Sequence, residues 1–143
     1  MAYPALAVSH SPYNNSAPKK AQALNAYQNL ELSSRIEMAS PIHLVILLYE
    51  EIIQSLKVLK YAQDAQLSHK ANAEISRSKM ILVSLIGSLD LQDGGELAVT
   101  LHGIYRASLA KLVKITNQSD SRSCDDLIDG FENLLVSWRS IEK

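Results

Sequence analysis

The sequence predicts an all-α fold, an antiparallel up-and-down bundle of four long helices preceded by an N-terminal helix. Three observations carry this expectation. The four prolines, Pro4, Pro12, Pro18 and Pro41, all lie near the start of the 143 residues, so no proline interrupts a helix after Pro41. Beyond it, apolar residues recur with the helical period, and no segment carries the alternation and tight turn of a β-hairpin. Long periodic segments joined by short connections favour antiparallel neighbours.

Residues 1–18 combine Pro, Ser, Asn and small side chains without apolar periodicity. Such a segment buries too little surface to offset its ordering entropy and reads as a flexible tail. Residues 19–143 then form a single domain, in which 19–39 is a movable N-terminal segment. Within it, residues 19–38 are good helix formers with a thin apolar stripe of Ala23, Leu24, Tyr27, Leu30 and Ile36.

Ser40-Pro41 starts the next helix. Ser40 is placed to accept a bond from a first-turn amide, and Pro41 has helical φ and no amide hydrogen to satisfy. Helix is expected from 41 to about 66, with Val45, Leu48, Ile52, Leu56 and Leu59 on one stripe. Leu44, Ile46, Leu47, Tyr49 and Ile53 widen that stripe until the first turns are apolar on nearly every side.

A third helix is expected over about 68–89, with Ile75, Leu82, Ile86 and Leu89 as its stripe and Met80, Val83 and Leu85 beside it. Gly94-Gly95 ends the connection, where a positive φ is wanted. The fourth, about 96–116, carries Leu97, Leu101, Ile104, Tyr105, Leu109 and Leu112. The polar run 117–126 is a loop in which Ser123 and Asp126 resemble a capping box. In the last helix Leu127, Phe131, Leu134, Trp138 and Ile141 step by 4, 3, 4 and 3, a heptad stripe for an internal core or a second subunit of a homodimer.

Composition narrows the function. With 14 basic and 15 acidic residues the net charge is −1, which lacks the electrostatic footprint of a nucleic-acid binder. A single cysteine, Cys124, excludes an internal disulfide framework and a Cys-based zinc site. The longest apolar run, Leu44 to Tyr49, is far below the ~18 residues of a membrane span. The first residues do not read as a signal peptide. A soluble cytoplasmic protein without membrane insertion is the expectation.

No catalytic constellation assembles from the residue patterns. No histidine follows a Glu at the spacing of a di-iron bundle, and His102 lacks the basic residues that would surround a phosphorylated imidazole. Asp90, Asp93 and Glu96 lack the alternating oxygen ligands of a calcium loop, and Glu96 already suits a helix N-terminus. The Gly94-Gly95 pair lacks the lysine of a phosphate loop, and Cys124 has no histidine near it in sequence. The expectation is a non-enzyme with no cofactor and no metal. The apolar first turns of the helix from Pro41 fit either a central helix buried by its neighbours or a groove for a partner's apolar segment. Both hold together if residues 19–38 cover that surface until a partner displaces them.

Several separated motifs carry a resemblance. They are Ala26-Tyr27-Gln28, Ala39-Ser40-Pro41, Leu44-Val45 with Leu47-Leu48-Tyr49-Glu50, Leu89-Asp90 with Gly94-Gly95-Glu96-Leu97-Ala98, Leu101, Ile104-Tyr105, Leu134-Leu135 and Trp138. In this order, over about residues 24–141, the chain resembles the flagellin export chaperones, the FliS family. It departs from the family pattern at Glu51, where a small residue is usual, and at Ala107, Ser108 and Ala110, where an aromatic and a basic pair are usual.

The resemblance implies a chaperone that binds the disordered C-terminal region of flagellin, prevents premature polymerisation and presents the subunit to a component of the flagellar export gate. It places Tyr27 and Gln28 in a mobile N-terminal motif, and Ser40 and Pro41 at the helix start. Leu44, Val45, Leu48 and Tyr49 are then expected in the flagellin-binding surface, joined by Leu101 and Tyr105, while Trp138 belongs to the core. For each of the apolar residues, ordinary core packing is the alternative. A helical adaptor with another partner, or a histidine-phosphotransfer module using His102 or His43, is the competing functional class.

Overall fold

The computed structural model describes residues 41–142. The predicted tail 1–18, the segment 19–39 with its helix, and Tyr27, Gln28 and Ser40 lie outside the described residues. Within them the chain forms four α-helices: α1 (Pro41–Asp64), α2 (Ser68–Gly87), α3 (Gly95–Val113) and α4 (Asp125–Ile141), the last preceded by one 3-10 turn (Ser121–Cys124). The all-α bundle expected from the apolar period is therefore present, with its long helices joined by short connections.

Helix α1 is the central element. It packs along α2 on one side and α4 on another, and its far end meets the 3-10 turn; α3 packs along α2. Val45, Ile46, Leu47, Leu48 and Tyr49 are five consecutive buried residues. At about 100° per residue such a run covers the whole circumference of a helix, so neighbours enclose α1 here on every side. Ile52, Leu56 and Leu59 continue the core along one face and meet Ile81, Leu82 and Leu85 of α2 and Leu127, Phe131 and Leu135 of α4 within one cluster.

The helix ends follow local chemistry that the period alone does not reveal. Helix α1 stops at Asp64, two residues before the expected end, because Gln66 takes the left-handed conformation at φ 57°. The Leu67 amide then donates to the Ala62 carbonyl at 2.8 Å and the Gln66 amide to Gln63 at 3.2 Å. This is a Schellman closure with glutamine where glycine is usual. Helix α2 ends at Gly87 rather than near 89. Beyond it the Asp90 carboxylate accepts from the amides of Gln92 and Asp93 at 3.2 and 3.0 Å, which shapes the turn into α3. Of the two glycines there, Gly95 alone has positive φ, at 65°.

Helix α3 ends at Val113, three residues before its expected end. The Ser119 hydroxyl accepts from the Thr116 amide at 2.9 Å, offering that amide a partner outside the helix ladder. The expected capping box of Ser123 with Asp126 does not form. Cys124 occupies the N-cap of α4 without a side-chain bond, and Asp120 instead accepts from the Arg122 amide at 2.9 Å to start the 3-10 turn. Asp125 and Asp126 in the first turn of α4 suit the helix dipole.

Polar contacts set the register between helices. Glu50 pairs with Arg139, Lys57 with Glu132 and Lys60 with Asp125, at 2.5, 3.2 and 2.6 Å, along the antiparallel seam of α1 and α4. Each of these solvent-facing pairs is worth at most about 1 kcal/mol, so they choose alignment more than they stabilise it. Glu51, a departure from the family pattern, pairs with Arg77 of α2 at 3.2 Å. At the other end of α1, the buried Gln63 amide donates to the Thr116 carbonyl at 3.0 Å and accepts from the Cys124 thiol at 3.8 Å. One side chain thereby ties the long loop before α4 to the core, and burial pushes the Cys124 thiol pKa up.

Candidate functional site

Helices α3 and α4 are the pair the bundle does not close. Each packs on a different partner, α3 on α2 and α4 on α1, and the two make no extended close approach to one another. Between them runs an open groove of about 260 Å³. Helix α3 lines it with Ile104, Ala107, Ser108 and Lys111. Helix α4 answers with Leu127, Phe131 and Leu134 as an apolar floor, and with Asp126 and Gly130 at its edge.

The antiparallel register sets the levels of this groove. Ile104, Ala107, Ser108 and Lys111 of α3 and Asp126, Leu127, Gly130, Phe131 and Leu134 of α4 line the one groove together. From Ile104 to Lys111 the α3 bank rises about 10 Å, two turns of helix. Leu97, a further two turns back on the same face, is exposed, as is Ile104 itself. The exposed apolar side of α3 thus extends beyond the groove proper. On the α4 side Leu134 is half-buried, while Leu127 and Phe131 are buried and give the groove a fixed wall.

An aromatic cluster holds that wall from below. Tyr49 of α1 contacts Phe131, Tyr105 and Trp138 edge to face, with ring centroids 5.5, 6.2 and 6.3 Å apart. These are favourable geometries for quadrupolar rings. The Tyr49 and Tyr105 hydroxyls lie 2.6 Å apart and satisfy one another inside the bundle. Burial pushes Tyr49 up to about 12 and Tyr105 well above the usual tyrosine range, so both are neutral at physiological pH. The bond joins α1 to α3, and it positions the α3 bank at the level where Phe131 forms the opposite one.

The residues singled out from the sequence fall at three depths. Pro41 is exposed at the start of α1, and Leu44 is half-buried against the core. Val45, Leu48, Tyr49, Leu101 and Tyr105 are buried core residues, between 0% and 3% exposed. Tyr27, Gln28 and Ser40 lie outside the described residues. Trp138 is buried as expected, at 4%. Met80 and Val83, placed beside the core stripe by periodicity, face outward instead.

The groove itself went unread in the sequence, although its signal was present. Ala107 and Ser108 were visible as small residues where larger ones are usual, and Gly130 as a glycine inside a strongly periodic helix. Only the pairing of α3 with α4 brings them together. Elsewhere, His43 of α1 contacts Glu142 just beyond α4 at 2.5 Å, while His102 lies half-buried on α3. Among the described residues no three His, Cys, Asp or Glu side chains come together in a way that would hold a metal ion. No described helix is long and apolar enough to cross a membrane.

Comparison with known proteins decides the family. The family described as flagellar protein FliS matches residues 23–143. The chain belongs to the FliS family. Its FliS relatives include the flagellar secretion chaperone FliS of Vibrio cholerae serotype O1, 24% identical over 83% of this chain and 88% of the relative. Another is the flagellar secretion chaperone FliS of Campylobacter jejuni, 27% identical over 83% of this chain and 90% of the relative. The flagellar secretion chaperone FliSB of Pseudomonas aeruginosa is 26% identical, with 83% and 91% covered. These names describe a chaperone, a non-enzymatic role, and FliS membership makes this chain a flagellar export chaperone by family.

Proposed function

We propose that this chain binds the disordered C-terminal region of flagellin in the cytoplasm, keeps it from polymerising and delivers it to a component of the flagellar export gate. What carries the reading is an open apolar groove between α3 and α4 on a bundle of the FliS family. A near-neutral chain suits this role, because affinity then comes from apolar burial rather than charge. Binding is coupled to folding: the flagellin segment becomes helical as its apolar face enters the groove, and the cost of ordering it leaves a releasable complex.

In this mechanism the buried residues act through the shape of the groove. Tyr49 and Tyr105 fix the spacing of its banks, and Val45, Leu48 and Leu101 pack behind them. Leu44, nearer the surface, lies in the first turn of α1, Ser40 and Pro41 belong to the helix start, and Tyr27 and Gln28 belong to the movable segment before it. Residues 19–39 cover the binding surface until flagellin displaces them.

Co-expression with a cognate flagellin, and with the same flagellin lacking its C-terminal region, tests the proposal. Co-purification with the first alone is expected. Capture of neither, or of both equally, overturns it.

A further inference from the structure

We propose that Gly130 and the pair Ala107 and Ser108 form a notch for one large apolar side chain of the bound helix, and that Lys111 and Asp126 engage an acidic and a basic residue of that helix one turn away. The inference rests on the proposed binding of the flagellin C-terminal region and names the part of the chaperone that selects the segment.

Gly130 is the first observation. It sits inside α4 with no positive φ, and a Cβ built on it meets nothing within 4 Å. Glycine in a helix interior is destabilising relative to alanine. Neither backbone conformation nor close packing among the described residues calls for a glycine here. The position is open toward the groove, beside the buried ring of Phe131. Ala107 and Ser108 line the same groove from the α3 bank, so three of the smallest residues share a lining that also holds the larger Ile104 and Leu134. Where these small residues line it, the groove has room for a Leu, Met or Phe side chain.

The charges are the second observation. Several charges of the described residues form no ion pair with one another, Lys70, Lys79, Arg106 and Lys114 among the cations, but two such charges meet at the groove. Lys111 and Asp126 stand on opposite banks of the same groove and form no ion pair with a described residue. Their places at a helix C-terminus and N-terminus suit the dipoles, which asks nothing of the charged ends themselves. A helix seated in the groove with its large residue in the notch brings its next turn between them. An acidic residue toward α3 and a basic residue toward α4, three or four positions apart, then complete both charges. The occupant is accordingly an amphipathic helix of flagellin with a bulky apolar residue one turn from an acid–base pair.

The test uses the full chain and a purified flagellin C-terminal fragment, with affinity read by calorimetry and folding by thermal unfolding. Gly130→Leu fills the notch from the chaperone side. It is expected to keep or raise the unfolding temperature and to weaken binding by about tenfold or more, the effect of overpacking a matched surface. Gly130→Ala, with one added methyl, moves affinity the same way by less. Lys111→Glu and Asp126→Lys each weaken binding by a few-fold at low salt, with the difference fading at high salt. Unchanged affinity in folded Gly130→Leu, while the wild-type chain still binds the fragment, overturns the notch alone. A wild-type chain that does not bind the fragment overturns the underlying reading as well. A wild-type dimer that Gly130→Leu dissociates, with flagellin affinity intact, assigns the groove to a second copy and also overturns the inference.

Discussion

The hydroxyls of Tyr49 and Tyr105 meet at 2.6 Å with both rings buried, so the one polar atom on each ring has the other as its partner. Removing the Tyr49 hydroxyl strands that of Tyr105 in an apolar cluster, whereas removing the Tyr105 hydroxyl leaves Tyr49 its contact with Trp138. Tyr49→Phe and Tyr105→Phe should each cost about 1–3 kcal/mol, and the double variant should cost clearly less than their sum. A double-mutant cycle by urea unfolding gives the coupling, expected at about 1 kcal/mol or more in favour of the pair.

The same pair makes the fold sensitive to alkali. In the unfolded chain a tyrosine titrates near 10, while in the bundle burial holds Tyr49 at about 12 and Tyr105 well above its usual range. Above pH 10 the folded state therefore binds more protons than the unfolded one, and stability falls as pH rises. This contribution is fully present below pH 10 and is lost from there up to about 12 for Tyr49. Unfolding curves at pH 9 and 11 should differ in midpoint, and Tyr49→Phe should show a smaller difference than the wild-type chain.

Gln66 closes α1 in a conformation that glycine adopts without strain. Gln66→Gly should stabilise the chain by about 1 kcal/mol, because a left-handed residue with a Cβ costs roughly that amount. The unfolding temperature should rise by roughly 2–5 °C for a chain of this size. Gly95→Ala, at φ 65°, should lower it by a similar amount.

Leu48 is fully buried in α1, so Leu48→Ala should destabilise the chain by about 2–5 kcal/mol, depending on how far the cavity collapses. Its proposed role in flagellin binding is read in whatever fraction remains folded. Weakened binding there supports a wall behind the groove, and unchanged affinity removes Leu48 from the site. Gly130→Leu should show the opposite profile, with stability kept and binding lost.

Much of the fold was legible because each helix records its own burial. The apolar first turns of α1 fitted either a helix enclosed by its neighbours or a partner's groove, and Val45 to Tyr49 are buried. Helix ends were less legible. Asp64, Gly87 and Val113 end their helices through contacts of Gln66, Asp90 and Ser119, polar residues whose turn-forming bonds leave no periodic trace. Met80 and Val83 show the limit of periodicity in another way. They are apolar, lie next to the core stripe and are still exposed, although α2 packs on both α1 and α3.

The sequence by itself determined the four helices, the family and the depth of most apolar residues, because spacing within one helix sets which face is buried. Only the tertiary structure decided where the open surface lies. The first turns of α1 could be read either as an enclosed helix or as part of a partner's surface, and among the described residues the bundle encloses them and leaves α3 and α4 apart. The groove there brings Ala107 and Ser108 into one lining with Gly130, more than twenty residues away along the chain. No periodicity within a single helix records how closely its neighbour approaches. The separation is set when α3 packs on α2, α4 packs on α1, and the Tyr49–Tyr105 bond joins the two layers.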